Sequence, residues 1–233
     1  MKKTGIIIFA SALVVGLVVS NIFSFGRAAH GLLNFSIDLG GEKGSGKIVT
    51  EKRSLSGFKG VDVGGVFQVE ITAGKEFGVE IETDDNLLPL IKTEVNNGVL
   101  EIELEKHVSP TGKILVRVSA PDISEMDVSG AANVTLNGVK NSNLAVEASG
   151  AAKLKITGET AKLTVASSGA AKIDAGDLKS VNATVDGSGA SHIELNVSGE
   201  LNADLSGASH LTYSGTPTAV HKTTTGAGDV SRK

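Results

Sequence analysis

Hydrophobic and polar residues alternate along most of the chain from about residue 48 onward. The alternation is clearest in the second half, where Val134 and Leu136, or Leu154 and Ile156, flank a single polar residue. A period of two residues predicts strands with one buried face. No long helical pattern follows the N-terminal segment, so the sequence predicts an all-β domain.

A short phrase recurs six times in this half, beginning with SGAANVTL at residue 129 and ending with the degenerate TGAGDVSR at residue 225. A constant spacing of this length indicates stacked repeats. A meander of hairpins would not require identical turns, whereas a solenoid turns the same corner in every coil. We therefore predict a single-stranded parallel β-helix, or β-solenoid, with coils of about 19 residues. Its corners would be the motif glycines Gly130, Gly150, Gly169, Gly189, Gly207 and Gly226.

The first half carries a weaker copy of the same pattern. VDVGGVFQVEI at residues 61–71 aligns with MDVSGAANVTL at residues 126–136, and NNG at residues 96–98 predicts a hairpin turn. We therefore divide the predicted domain, residues 48–233, into an irregular β part at 48–122 and regular coils at 123–233.

The N terminus predicts export. Two lysines precede an uncharged run at residues 5–26. This run is longer than the apolar region of about 7–15 residues in a signal peptide and close to the roughly 20 residues of a membrane span. Residues 1–29 are thus either a cleaved signal peptide or an uncleaved signal anchor, which would form a transmembrane helix. Residues 30–47 are a Gly-rich linker. The expected location is the cell envelope, periplasmic or at the cell surface.

Composition excludes several function classes. The chain has no cysteine, so it has no disulfide, thiolate metal site or lipid-anchored cysteine. Residues 1–29 contain three basic residues and no acidic one, which leaves 19 basic and 26 acidic residues and a formal charge of −7. Nucleic-acid binding needs a basic face, so we expect no nucleic-acid partner.

Stacked coils would align acidic residues into a ladder on the surface, formed by Asp127, Glu147, Asp186 and Asp204. Such a ladder could bind Ca²⁺ through oxygen ligands, but Ala166 interrupts it, and we favour a solvated acidic face. His192 and His210 would also be vertical neighbours that could share a Zn²⁺. No third ligand is evident, so we expect exposed histidines and predict no metal site.

Catalytic chemistry finds little support in the sequence. Asp174 and Glu194 would be adjacent carboxylates, as a polysaccharide-cleaving β-helix could use, but no aromatic platform for sugar rings accompanies them. The chain contains no nucleophile elbow, phosphate-binding loop or zinc-protease motif. We predict no enzyme and no cofactor.

Several blocks in order resemble the DUF2807 family, also called the putative autotransporter adhesin, head GIN domain. They are RSLSGFKGVDVGGVFQVEIT, DDNLLPLIKTEVNNGVLEIEL, ILVRVSAPDISEMDVSGAANVTLNG and the later SGA repeats, and together they span about residues 50–230. The resemblance implies a β-helical extracellular domain of bacterial envelopes. It implies no catalytic residues.

These observations predict an exported, non-catalytic, adhesin-like β-solenoid that binds an envelope glycan or protein. An uncleaved N-terminal helix would add a membrane contact. One alternative is a structural module that self-associates through its end coils. The other is a cation-dependent carbohydrate-active enzyme.

Overall fold

The computed structural model describes residues 41–233, and this part is all-β. The predicted export segment, residues 1–29, lies outside the described residues. Among residues 41–233, no helix has the length and hydropathy needed to cross a bilayer. The strands are β1 (Glu42–Lys43), β2 (Ile48–Arg53), β3 (Gly60–Gly65), β4 (Gln68–Ala73), β5 (Gly78–Asp84), β6 (Ile91–Asn96), β7 (Val99–Leu104), β8 (Val108–Ser109), β9 (Leu115–Ala120), β10 (Glu125–Gly130), β11 (Asn133–Ala148), β12 (Lys153–Ser167), β13 (Lys172–Gly187), β14 (His192–Val197), β15 (Glu200–Gly207), β16 (His210–Ser214), β17 (Ala219–Gly226) and β18 (Asp229–Arg232), with a 3₁₀ turn at Leu88–Leu90.

The regular half is a parallel β-solenoid, as predicted, and the whole domain makes about five turns. Each strand of one coil pairs in parallel with its counterpart in the next coil. The residues four places after each motif serine or threonine pair with one another from coil to coil. They are Asn133, Lys153, Lys172, His192, His210 and Asp229. Coils therefore stack with the register that the repeat indicates.

The coils differ from the prediction in one respect. TGET at residues 157–160 and NGVKNSN at residues 137–143 are rich in turn-forming residues, which predicts a turn between two short strands in each coil. Instead β11 and β12 continue through these segments, with a register shift between Leu136 and Val139. In β12, residues 158–160 have parallel partners in both β11 and β13, which keep the backbone groups hydrogen-bonded through the bend. Gly158, with a φ of +132°, supplies the change of direction that a side chain would hinder.

The weaker copy in the first half occupies the position that its sequence predicts. In β3, Val61 pairs with Met126 of β10. In β4, Ile71 pairs with Leu136 of β11. All four side chains are buried. The irregular half therefore continues the same stack of coils.

Antiparallel strands distinguish this half from the regular coils. β6 and β7 form the predicted hairpin, whose turn places Asn97 at φ 51° and Gly98 at φ 82°. β5 lies antiparallel to both β2 and β9, and β9 in turn pairs in parallel with β4. A side sheet in the order β2-β5-β9-β4 therefore extends from the solenoid wall.

The core is a narrow interior filled mainly by Val, Ile, Leu and Ala. Three of its larger members lie in or next to the irregular half: Phe58, Phe67 and Met126 are all buried. The low aromatic content fits this shape, because a layer one side chain deep between two walls has little room for rings.

Part of the predicted linker belongs to the domain, which is a departure from the expected boundary at residue 47. Glu42 pairs with Val108, in the contact of β1 with β8. The buried carboxylate of Asp84 accepts hydrogen bonds from the Gly46 and Thr111 backbone N–H groups, at 2.7 and 3.0 Å, and from the Thr111 hydroxyl at 2.6 Å. Residues 42–47 are thereby attached to the side of the domain.

Candidate functional site

The motif glycines stack on one another at a shared corner. The N–H that follows each glycine donates to the carbonyl oxygen of the glycine one coil earlier, as from Ala151 to Gly130 at 2.8 Å and from Ala170 to Gly150 at 2.7 Å. All six glycines have φ between 73° and 95°. A Cβ on Gly150 would lie 2.6 Å from the Gly130 oxygen. The corner recurs because only glycine allows this backbone approach.

The predicted acidic ladder lies in register on one face. Asp127 pairs with Glu147, and Asp186 pairs with Asp204, while Ala166 separates the two pairs. Asp127, Glu147 and Asp186 border a shallow groove of about 340 Å³ along the motif serines.

The ladder extends further than the sequence suggested. Asp62 pairs with Asp127 on one side and with Glu101 on the other, and Glu101 pairs with Glu94 of the hairpin. The alignment of residues 61–71 with residues 126–136 places Asp62 opposite Asp127, but no sequence pattern places Glu94 or Glu101 in the ladder. The alternation of polar and apolar residues around Glu94 and Glu101 is visible in the sequence, but the pairing of β7 with β3 is not.

Like charges in this ladder oppose one another. Burial raises the pKa of the Asp62 carboxyl, and the nearby carboxylates of Asp127, Glu103 and Glu101 raise it further. Burial, followed by the charge of Glu125, raises the pKa of Asp127. Within residues 41–233, no group of three or more His, Asp or Glu side chains is arranged to hold a metal ion.

The two histidines are neighbours but form a simple pair. His192 and His210 face each other in adjacent coils, with ring centroids 6.0 Å apart and ring planes inclined at 53°. Both are exposed.

The two candidate catalytic carboxylates are also paired in register, Asp174 beside Glu194. Each already has a lysine partner. Lys233 Nζ donates to Glu194 at 2.6 Å, and Lys155 lies 3.9 Å from Asp174. The pair is thus part of a surface ion-pair network.

A concave surface that the sequence did not reveal lies on the side sheet. It is an open groove of about 540 Å³, which we call the Arg117 groove. One wall is a row of charged side chains across four strands: Lys52 of β2, Glu80 of β5, Arg117 of β9 and Glu70 of β4. Arg117 Nη1 donates to Glu80 at 3.0 Å and to Glu82 at 3.1 Å.

Beside this wall, the Arg117 groove has a row of small side chains and one aromatic side chain. The adjacent row, across β5, β9 and β4, is Gly78, Ser119 and Thr72, which form a low floor. Phe77 borders the groove with 38% of its surface exposed. Its ring packs edge-on against the buried Phe58, with centroids 5.1 Å apart, and is therefore held in place.

The family model of DUF2807, "Putative auto-transporter adhesin, head GIN domain", matches residues 57–217. The chain belongs to this family. The resemblance noted in the sequence is thereby confirmed, and the Arg117 groove lies mostly within the matched part of the DUF2807 domain. A comparison with proteins of curated function finds no match.

Solved structures share the fold of this DUF2807 domain. A putative adhesin from Bacteroides fragilis is 22% identical with a TM-score of 0.70, covering 83% of this chain and 100% of that chain. A putative adhesin from Parabacteroides merdae is 20% identical with a TM-score of 0.54, covering 82% and 98%. A protein from Parabacteroides distasonis, named a putative lipid binding protein, is 16% identical with a TM-score of 0.50, covering 82% and 98%. Similarity at these identities shows the fold alone.

Proposed function

We propose that the chain is an exported, non-catalytic binding domain of the bacterial cell envelope. The observation that carries the proposal is the Arg117 groove, whose open volume of about 540 Å³ lies within the range of about 300–1,000 Å³ typical of ligand sites. Arg117 and Phe77 are held by contacts within the domain, so little order has to be gained at these two side chains on binding.

The family and the predicted export segment support an envelope location. The DUF2807 description and two of the similar solved structures carry the name adhesin, and none of the three structures described above is named as an enzyme. The partner we propose is an envelope glycan or an envelope protein. A membrane attachment through residues 5–26 is the form we expect if the N-terminal segment is not cleaved.

The enzyme alternative has less support from the geometry. Asp174 and Glu194 are engaged by lysines, and the shallow surface that includes Asp174 has no aromatic residue among its borders. A glycosidase needs two carboxylates facing one substrate bond within a site that binds the sugar. The Arg117 groove, where a sugar-sized ligand fits better, lies further along the same sheet: Glu70 of β4 is three strands away from Asp174 of β13.

Association through the C-terminal end coil also has less support. Lys222 of β17 takes the inward place next to Ala203 of β15, and its Nζ donates to the Val230 carbonyl at 3.3 Å. An inward charge on an edge strand is a known device against strand addition.

The proposal is tested by incubating the purified full chain with peptidoglycan and other purified envelope polysaccharides. We expect saturable cosedimentation with at least one polymer and no new reducing ends. Release of reducing ends or unsaturated products, lost in an Asp174→Asn, Glu194→Gln double variant, would establish the enzyme instead. Absence of binding to every envelope polymer and to purified envelope proteins would refute a binding role.

A further inference from the structure

The charged wall of the Arg117 groove is internally neutralised. Lys52 lies 3.9 Å from Glu80, and Arg117 lies 3.0 Å from Glu80 and 3.8 Å from Glu70. The remaining guanidinium in the groove, Arg53, is also occupied: its Nε donates to Glu51 at 2.8 Å and its Nη1 to backbone and hydroxyl oxygens of β6. Among the described residues that border the groove, Lys75 is the one cation with no carboxylate within 4.0 Å, and it is exposed.

This neutralisation favours an uncharged ligand. An anion placed at Arg117 would meet the carboxylates of Glu70, Glu80 and Glu82 that already surround it. A cation placed at those carboxylates would compete with Arg117 and Lys52. Either ligand, bound at this wall, would have to disrupt existing pairs, and like-charge contacts of this kind are unfavourable.

Hydrogen bonding remains available along the wall. Lys52 and Arg117 have further N–H groups, and Glu70 and Glu80 have further lone pairs, so donors and acceptors alternate across the strands. Adjacent strands lie about 4.8 Å apart. A ligand with several hydroxyl groups, each of which donates and accepts, can bond to both kinds of neighbour.

The floor and Phe77 complete a surface suited to a ring. Gly78 keeps the floor low, because a Cβ there would lie 2.9 Å from Ser119 Oγ. Phe77 presents the exposed part of a ring that Phe58 holds in place. A sugar ring has an apolar C–H face that packs on an aromatic side chain and hydroxyl edges that bind polar groups.

We propose that the Arg117 groove binds the uncharged sugar units of an envelope glycan. In this assignment Phe77 packs against the apolar face of a sugar, and Arg117 and Glu80 bind its hydroxyls. The inference rests on the proposed function, because it names the ligand class for the same groove.

The test is isothermal titration of the full chain with a panel of neutral trisaccharides of glucose, galactose, mannose and N-acetylglucosamine, alongside the anionic trigalacturonate. We expect at least one neutral trisaccharide to bind, with an affinity that changes less than about twofold when salt rises from about 50 to about 500 mM. Phe77→Ala, Phe77→Leu and Arg117→Met should each weaken binding about tenfold or more. The matched controls Val181→Ala and Lys172→Met, both exposed and outside the groove, should bind within about twofold of the unaltered chain.

Phe77→Leu guards against misfolding, because it keeps an apolar side chain against Phe58 while removing the ring. Four results would overturn the inference: tighter, salt-sensitive binding of trigalacturonate; binding of anionic lipid vesicles or of polyglutamate that depends on Phe77; neutral binding that all groove variants retain; or no trisaccharide bound. The proposed function survives each of these if an envelope polymer or protein still binds without turnover. Measured turnover would instead refute the proposed function.

Discussion

Gly189 stacks on Gly169 so closely that a Cβ on Gly189 would lie 2.5 Å from the Gly169 carbonyl oxygen. Gly189 also has a φ of +83°, in the left-handed region that costs other residues about 1–2 kcal/mol. Overpacking adds about 1–3 kcal/mol. We therefore expect Gly189→Ala to lower the free energy of unfolding by more than about 2 kcal/mol in urea denaturation.

The matched control is Gly112→Ala. A Cβ added to Gly112 would meet no heavy atom within 4 Å, and Gly112 has no left-handed φ. Its substitution should change stability by less than about 0.5 kcal/mol. Equal effects of the two substitutions would show that the stacked corner does not limit the fold.

The corner explains how much of the fold was predictable. The spacing of the SGA motifs fixed both the coil length and its register, because each glycine needs the glycine beneath it. The pairing of Val61 with Met126 could also be predicted, since the earlier segment keeps the same inward positions. Local repetition carries this information directly.

The Arg117 groove was not predictable, for a physical reason. Its wall brings together Lys52, Glu70, Glu80 and Arg117, one from each of four strands whose order in the sheet differs from their order in the chain. Antiparallel and parallel pairs mix there, and no repeat marks the partners. The place of Glu101 in the acidic ladder could not be predicted for the same reason. The exposure of Phe77, in AGKEFGVE, depends on this unpredicted packing.

The acidic ladder should destabilise the fold at neutral pH. The pKa of Asp62 is raised in the folded state above its ordinary value of 3.8, so the folded chain holds a proton that the unfolded chain has already released. Stability therefore decreases as pH rises through this interval. Asp62→Asn removes the charge, and we expect it to raise the free energy of unfolding at pH 7 by about 0.2–1 kcal/mol.

Thermal unfolding at several pH values checks this expectation. The gain from Asp62→Asn should disappear as pH falls below 3.8, where the carboxyl is protonated in both states. Glu76→Gln, which changes an exposed acid outside the ladder, should show no such gain. A loss of stability at pH 7 in Asp62→Asn would contradict the repulsion.

Asp84, in contrast to Asp62, should stabilise the fold at neutral pH. The Thr111 hydroxyl holds the pKa of this buried carboxyl below 3.8, and the N–H groups of Gly46 and Thr111 lower it further. The stabilisation is present above pH 3.8 and is lost as pH falls through the lower folded-state pKa. Asp84→Asn places an amide NH₂ group among these donors, so we expect a lower melting temperature at pH 7 and a smaller difference near pH 3.

Hydrogen exchange provides a local check on the same variant. The Gly46 amide, which donates to Asp84 Oδ1 at 2.7 Å, should exchange faster in Asp84→Asn, while the Ala170 amide in the solenoid corner should not change. Uniform acceleration at both amides would indicate global destabilisation instead of release of residues 42–47.

Lys222 should keep the C-terminal coil from pairing with another chain. It is exposed and takes the register position next to the buried Ala203, on an edge strand whose other side has no partner among the described residues. Lys222→Leu removes the charge and leaves an apolar edge open to strand addition. We expect a larger apparent mass, increasing with concentration, in light scattering.

The control is Lys162→Leu, the same change at an exposed position of β12, which should leave the mass unchanged. If both variants stay at the mass of the unaltered chain, the edge is protected by other features, such as the Arg232 side chain that donates to the Gly215 carbonyl at 2.8 Å.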